Sequence, residues 1–230
     1  MAGGIVIGAS RTRSNAIHSQ LRAGDIMIKY NDGGAVSNVI QLGQLFGRGS
    51  SKFTHAGIMS SATTIIEMSG SGLNENNLLT KNSGVNYEVF RCIDAEVAAG
   101  AAETAKMMYA GVQGGGMKVS YDMKGSVGSI LSRKLIGNKV LNTDLQLDRL
   151  MSGKGAAYFC SGHVVLCYQA AIAQIRQASA ISQNVFPVQD AGKMFNQEQG
   201  CYQPAFLEKM LRKSTFFTSL GKFRGVHRAG

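Results

Sequence analysis

The chain has 230 residues, enough for one domain with a sizeable core and short for two. Hydrophobic residues make up 44% and charged residues 17%, which excludes general disorder, and two prolines leave no Pro-rich linker. Lysine and arginine outnumber aspartate and glutamate by 24 to 14; the net charge of +10 favours anionic partners without choosing among nucleic acid, lipid and acidic polymers.

No apolar run reaches the roughly 18 residues that a membrane-crossing helix needs. The N-terminal apolar stretch is too short for a signal peptide, no cation precedes it, and Arg11 and Arg13 follow it. The expectation is a chain made in the cytoplasm without a signal peptide. Residues 1–20 read as a lead-in, 21–213 as one domain and 214–230 as a basic tail. Cys92, Cys160, Cys167 and Cys201 show no CxxC or CxxH spacing, so no structural zinc is expected.

In chain order, residues 23–30 read as a strand entered by a turn, and 36–47 as a helix. Residues 54–59 and 63–68 are β-rich runs separated by Ser60, Ser61 and Ala62, a hairpin. Residues 86–92 suit another strand. Asp94 is placed to cap a helix running to about Tyr109, and Gly114-Gly115-Gly116 breaks the chain. Residues 123–150 read as broken helix, 157–178 as the longest helical stretch, and 189–196 and 203–213 as shorter helices. Helices around a small antiparallel sheet define an α+β layout.

Cys160 lies at the start of the strongest helical segment. The helix dipole and its free N–H groups favour a thiolate there, and the same groups can receive an oxyanion. Free cysteine is as often simply a small buried residue, so position alone leaves the two readings even. Of the four histidines, His18 and His227 fall near the chain ends. His163 is one turn beyond Cys160 on the same helix and suits packing. His55 sits on the hairpin. If Ser60, Ser61 and Ala62 form the turn, paired positions sum to 122 and His55 faces Glu67, which can orient the imidazole. An ordinary cross-strand charge pair would look the same. Glu67 is nevertheless the only charged residue between Lys52 and Glu75, interrupting an apolar run. Asp25 reads as a turn-closing residue.

The ordered set Leu21–Ile26, Phe53–Ile58, Ile66-Glu67-Met68, Tyr87–Arg91, Tyr121-Asp122, Tyr158–Ser161, Tyr168–Ala171 and Phe186-Pro187 resembles the circularly permuted NlpC-type papain-like hydrolases, the YiiX-like and YaeF-like group. The histidine strand precedes the cysteine helix, the reverse of papain order. The resemblance implies a papain-like permuted fold with Cys160 as nucleophile, His55 as base and Glu67 as orienting acid. It departs at Gly162-His163, where relatives commonly carry Glu-Leu. The implied function is amide hydrolysis, with peptidoglycan peptide as substrate. That polymer lies outside the cytoplasm, so the expected setting is a toxin effector delivered by a type VI-like secretion apparatus into a target periplasm, with an immunity protein as partner. Lipid or another acyl group at the same thiol, and a basic binding module without catalysis, are the alternatives. No nucleic-acid partner is expected, since aromatics are 7% and no recognition motif occurs. Membrane contact stays open at the apolar, basic stretch Phe206–Phe223.

Overall fold

A computed structural model describes residues 20–31, 52–121, 156–182, 194–195 and 202–225. The expected helix at 36–47, the pieces at 123–150, most of 189–196, and Asp122, Phe186, Pro187, His18, His227 and Cys201 lie outside them.

The fold is α+β. Strands β1 (Ile26–Tyr30), β2 (Phe53–Met59), β3 (Thr64–Ser69), β4 (Gly72–Asn77) and β5 (Asn86–Cys92) precede helix α1 (Ala95–Gln113). Strands β6 (Val119–Tyr121) and β7 (Ala156–Tyr158) then lead to helix α2 (Cys160–Ser182), helix α3 (Pro204–Lys213) and strand β8 (Phe217–Arg224). Six strands form one antiparallel sheet in the order β4-β3-β2-β1-β5-β8; β6 and β7 pair in parallel by themselves.

Alternation along the strands sorts two apolar faces. Ile26, Ile28, Ala56, Ile58, Ile66, Met68 and Phe90 meet Val97, Ala101, Val164, Leu166, Tyr168, Leu207 and Leu211 of the three helices in the larger cluster. Met27, Met59, Ile65, Tyr87, Val89 and Phe223 form a second cluster with Leu21, Leu78 and Val85. The connection from β4 to β5 thus covers the sheet on the side away from the helices.

Local chemistry sets the ends of the elements. Asp94 caps α1, its Oδ1 accepting from the N–H groups of Glu96 and Val97 at 3.0 Å each. The helix continues one turn past Tyr109 to Gln113 and stops at Gly114 and Gly115, the latter with φ +73°. Residues 156–158 are strand and not helix: their pairing with β6 delays the start of α2 to Cys160. Phe217–Arg224, placed in the basic tail by sequence, are an edge strand bound to β5, with a bulge where Gly221 takes φ +85°. The sheet therefore extends past the expected boundary at residue 213.

The hairpin closes one residue later than the sequence suggests. Ser61 Oγ accepts from the N–H groups of Thr63 and Thr64 at 3.2 and 3.1 Å, and Ser60 N–H donates to the Thr64 carbonyl at 2.9 Å. The turn is thus 61–63. Met59 pairs with Ile65 and Gly57 with Glu67, so the expected direct pairing of His55 with Glu67 does not occur. The offset is two residues, which keeps His55 and Glu67 on one face as diagonal neighbours.

The entry to β1 is held tightly. Asp25 accepts from the Arg22 N–H at 2.9 Å and pairs with Arg91 through both carboxylate oxygens, at 2.8 and 2.6 Å. Gly24 has φ +90°, and a Cβ there would fall 2.8 Å from that of Ala98. Its carbonyl accepts from Tyr168 Oη at 2.5 Å, tying α2 to β1. Gly24→Ala is expected to lower stability by about 1–3 kcal/mol through strain and overlap together, read as a drop in the urea midpoint with unchanged slope.

Candidate active site

β2 and β3 pair only from Met59↔Ile65 to Gly57↔Glu67. His55 lies two residues beyond the last pair, while β1 still holds it through Lys29↔His55. Gly57 matters to this end of the hairpin. A Cβ at 57 would fall 2.7 Å from Ile65 Cδ1, on the face that Glu67 crosses to reach His55. Glu67 Oε2 lies 3.1 Å from His55 Nε2. That commits Nε2 and leaves Nδ1 for the thiol.

The helix start brings the third side chain. β7 runs directly into Phe159, whose carbonyl accepts from the His163 N–H at 3.0 Å, so Cys160 is the first residue of α2. Ser161 Oγ donates to the Tyr202 carbonyl, locking the first turn to the lead-in of α3. Cys160 is hydrogen-bonded by His55 and by the backbone N–H groups of Ala56 and Ser161.

The ionisation follows from those contacts. Burial alone would push the Cys160 thiol up. The His55 charge, its hydrogen bond and the two backbone N–H groups overcome burial and bring the thiol below its ordinary value. Burial likewise opposes a charged imidazole, but the Cys160 charge and hydrogen bond, followed by those of Glu67, raise His55 to about 10. For Glu67, burial would raise the carboxyl. His55 and the amides of Asn82 and Asn76 bring it down to about 2. The contacts therefore favour the thiolate–imidazolium form of Cys160 and His55, over a carboxylate held in its ionised form. Such an arrangement can attack an electrophilic carbon and pass a proton to a leaving group.

The sequence-derived set Cys160, His55 and Glu67 is thus brought together. His163 is not part of it. It is fully buried on α2, with Nε2 3.6 Å from Cys167 Sγ and Nδ1 without a hydrogen-bond partner among the described residues. Asp25 is occupied by Arg91. Sequence reasoning missed Asn76 and Asn82, which donate to Glu67 Oε1 at 2.6 and 2.9 Å. Asn76 lies in the asparagine-rich β4, and Asn82 in Lys81-Asn82-Ser83-Gly84, where an asparagine ordinarily signals only a turn. Among the described residues no group of three His, Cys, Asp or Glu side chains is placed to hold a metal.

No family model matches the chain, and no curated protein or solved structure matches it. Among the described residues no helix is long and apolar enough to cross a membrane.

His163 gives a pH test of the helix interior. Burial lowers its pKa from 6.5 to about 4. Above 6.5 both folded and unfolded imidazoles are neutral and stability is complete. As pH falls from 6.5 toward 4, the unfolded chain takes up a proton that the folded chain refuses, so stability falls. The expected loss is about 3 kcal/mol across that window. His163→Met should flatten the loss relative to wild type in urea unfolding run at both ends of the window.

Proposed function

We propose that the protein is a cysteine hydrolase of the permuted NlpC, papain-like type, with a Cys160–His55–Glu67 triad cleaving an amide bond. The observation that carries this reading is the double engagement of His55. Its Nε2 is 3.1 Å from Glu67 while the ring also hydrogen-bonds Cys160 at the start of a helix.

The Cys160 thiolate attacks the carbonyl carbon, and backbone N–H groups at the start of α2 receive the oxyanion. His55 gives its proton to the leaving nitrogen as the C–N bond breaks, leaving a thioester. His55 then takes a proton from water, which attacks the thioester and releases acid and thiolate. Glu67 fixes the ring and stabilises its positive form. The substrate is an amide in peptidoglycan peptide, an anionic glycopeptide that the net charge of +10 suits. The setting is that of a toxin effector reaching a target periplasm through a type VI-like apparatus. Growth arrest on periplasmic but not cytoplasmic expression supports that setting, and harmlessness in both compartments removes it.

One observation favours a second reading. Cys160 is only 2% exposed, as in a binding module that keeps the fold without turnover. The two separate on purified muropeptides. A hydrolase releases cleaved fragments, and Cys160→Ala abolishes release. His55→Ala is expected to cost about 100- to 10,000-fold. Cleavage should rise with pH through a Cys160 ionisation that lies below that of an ordinary thiol, and fall above about 10 as His55 loses its proton. Binding unaffected by Cys160→Ala, with no fragment from wild type, is the outcome for a module.

A further inference from the structure

Glu67 is partnered unlike its neighbours. Asp25 and Glu88 answer to arginines, Arg91 and Arg212. Among the described residues Glu67 pairs with no lysine or arginine. His55 faces one oxygen, and two neutral amides, Asn76 at 2.6 Å and Asn82 at 2.9 Å, donate to the other. A guanidinium in their place would cancel the negative charge and weaken its pull on the imidazolium. Amide N–H groups fix the carboxylate in space and leave its charge for His55.

Both amides are arranged for this contact. The Asn76 Oδ1 is buried with no partner among the described residues. Flipping that amide would press its oxygen against the carboxylate, so the N–H stays on Glu67 while the amide's own oxygen goes unsatisfied. The Asn82 Nδ2 donates to Glu67 Oε1 and also to Tyr87 Oη at 2.9 Å, using both hydrogens.

Asn82 belongs to the turn at 78–85, and hydrogen bonds hold the backbone at both ends of that turn and at Asn82 itself. Leu78 N–H donates to the Thr63 carbonyl at 2.9 Å, Asn82 N–H to Asn77 at 3.1 Å, and Val85 N–H to Asn82 at 3.1 Å. Leu79 N–H donates to Asn77 Oδ1 at 2.7 Å. From behind, Gly225 packs so close that a Cβ there would lie 2.5 Å from the carbonyl oxygens of both Leu78 and Asn82.

We propose that the 78–85 turn is a positioning device for the thiol–imidazole pair, with Asn82, seconded by Asn76, holding the Glu67 carboxylate aimed at His55 Nε2. The pair is thereby tuned from the side of the sheet opposite the helices. Asn82 and Asn76 are positioning residues, acting through Glu67. The inference rests on the reading of Cys160 as a nucleophile.

The test is the ionisation of Cys160, followed as ultraviolet thiolate absorbance against pH and corrected with Cys160→Ala. Asn82→Ala is expected to move the acid limb up by about one pH unit, a tenfold loss of thiolate below the midpoint. Asn82→Asp should move it further, because two neighbouring carboxylates disfavour each other's charge. Asn76→Ala should move it in the same direction, and serves if Asn82 variants do not fold. Met108→Ala, which opens the core under α1 on the other side of the sheet from the turn, should lower Tm and leave the limb in place. If Asn82→Ala and Asn76→Ala both titrate like wild type while Glu67→Gln shifts the limb, the positioning role is overturned and the triad stands. If wild-type Cys160 titrates as an ordinary thiol, the nucleophile reading falls and this inference with it.

Discussion

The structure turns on one buried carboxylate that no permanent cation neutralises among the described residues. Putting Glu67 into the interior is costly unless every lone pair is answered. β4 supplies Asn76, the turn after it supplies Asn82, and the first strand of the hairpin supplies His55. Because two of these partners are neutral, the charge balance closes only when the imidazole is protonated. A protonated imidazole beside the helix start in turn favours the thiolate of Cys160. A structural demand and a chemical capacity are thus met by the same proton.

Placement of the thiol depends on a separate set of contacts. The parallel pair β6–β7 delivers the chain to Phe159, and the first turn of α2 is tied to Tyr202 through Ser161. Further along, Tyr168 reaches back to the Gly24 carbonyl. The helix is therefore fixed at both its start and its middle. The strand carrying His55 is fixed by β1, even where β3 has left it. Two independently anchored elements meet at one sulfur, the condition under which a hydrogen bond keeps its geometry without help from its own modest energy.

Much of this was legible in the residues. Alternation exposed β1, β2, β3 and β5, and Asp94 marked the start of α1. The helix start points to Cys160, and the hairpin points to His55 and Glu67, the same residues that the family resemblance implies. The hairpin register was misjudged because Ser61 accepts two backbone N–H groups and moves the turn by one residue. His55 and Glu67 still meet because a shift of two positions preserves the face. β4 was invisible: Gly-Leu-Asn-Glu-Asn-Asn has little intrinsic strand preference and forms where β3 offers a ladder. β8 resembles a tail in sequence because its bulge breaks the alternation, so that Phe217 and Phe223 bury into clusters on opposite faces of the sheet. Asn82 carried no signal, since its partner is fifteen positions away in sequence and only folding brings them together.

β8 has a consequence for how the molecule comes into being. Its partner β5 is synthesised far earlier, and the backing of the 78–85 turn waits for Gly225. Pairings this distant in sequence close late, and chains emerge from the ribosome N-terminal end first. A nascent chain that has already exposed Cys160 and His55 still lacks the edge strand and the wedge behind Asn82. The carboxylate behind His55 therefore gains its full backing only once β8 and Gly225 have been made and have packed against β5 and the 78–85 turn.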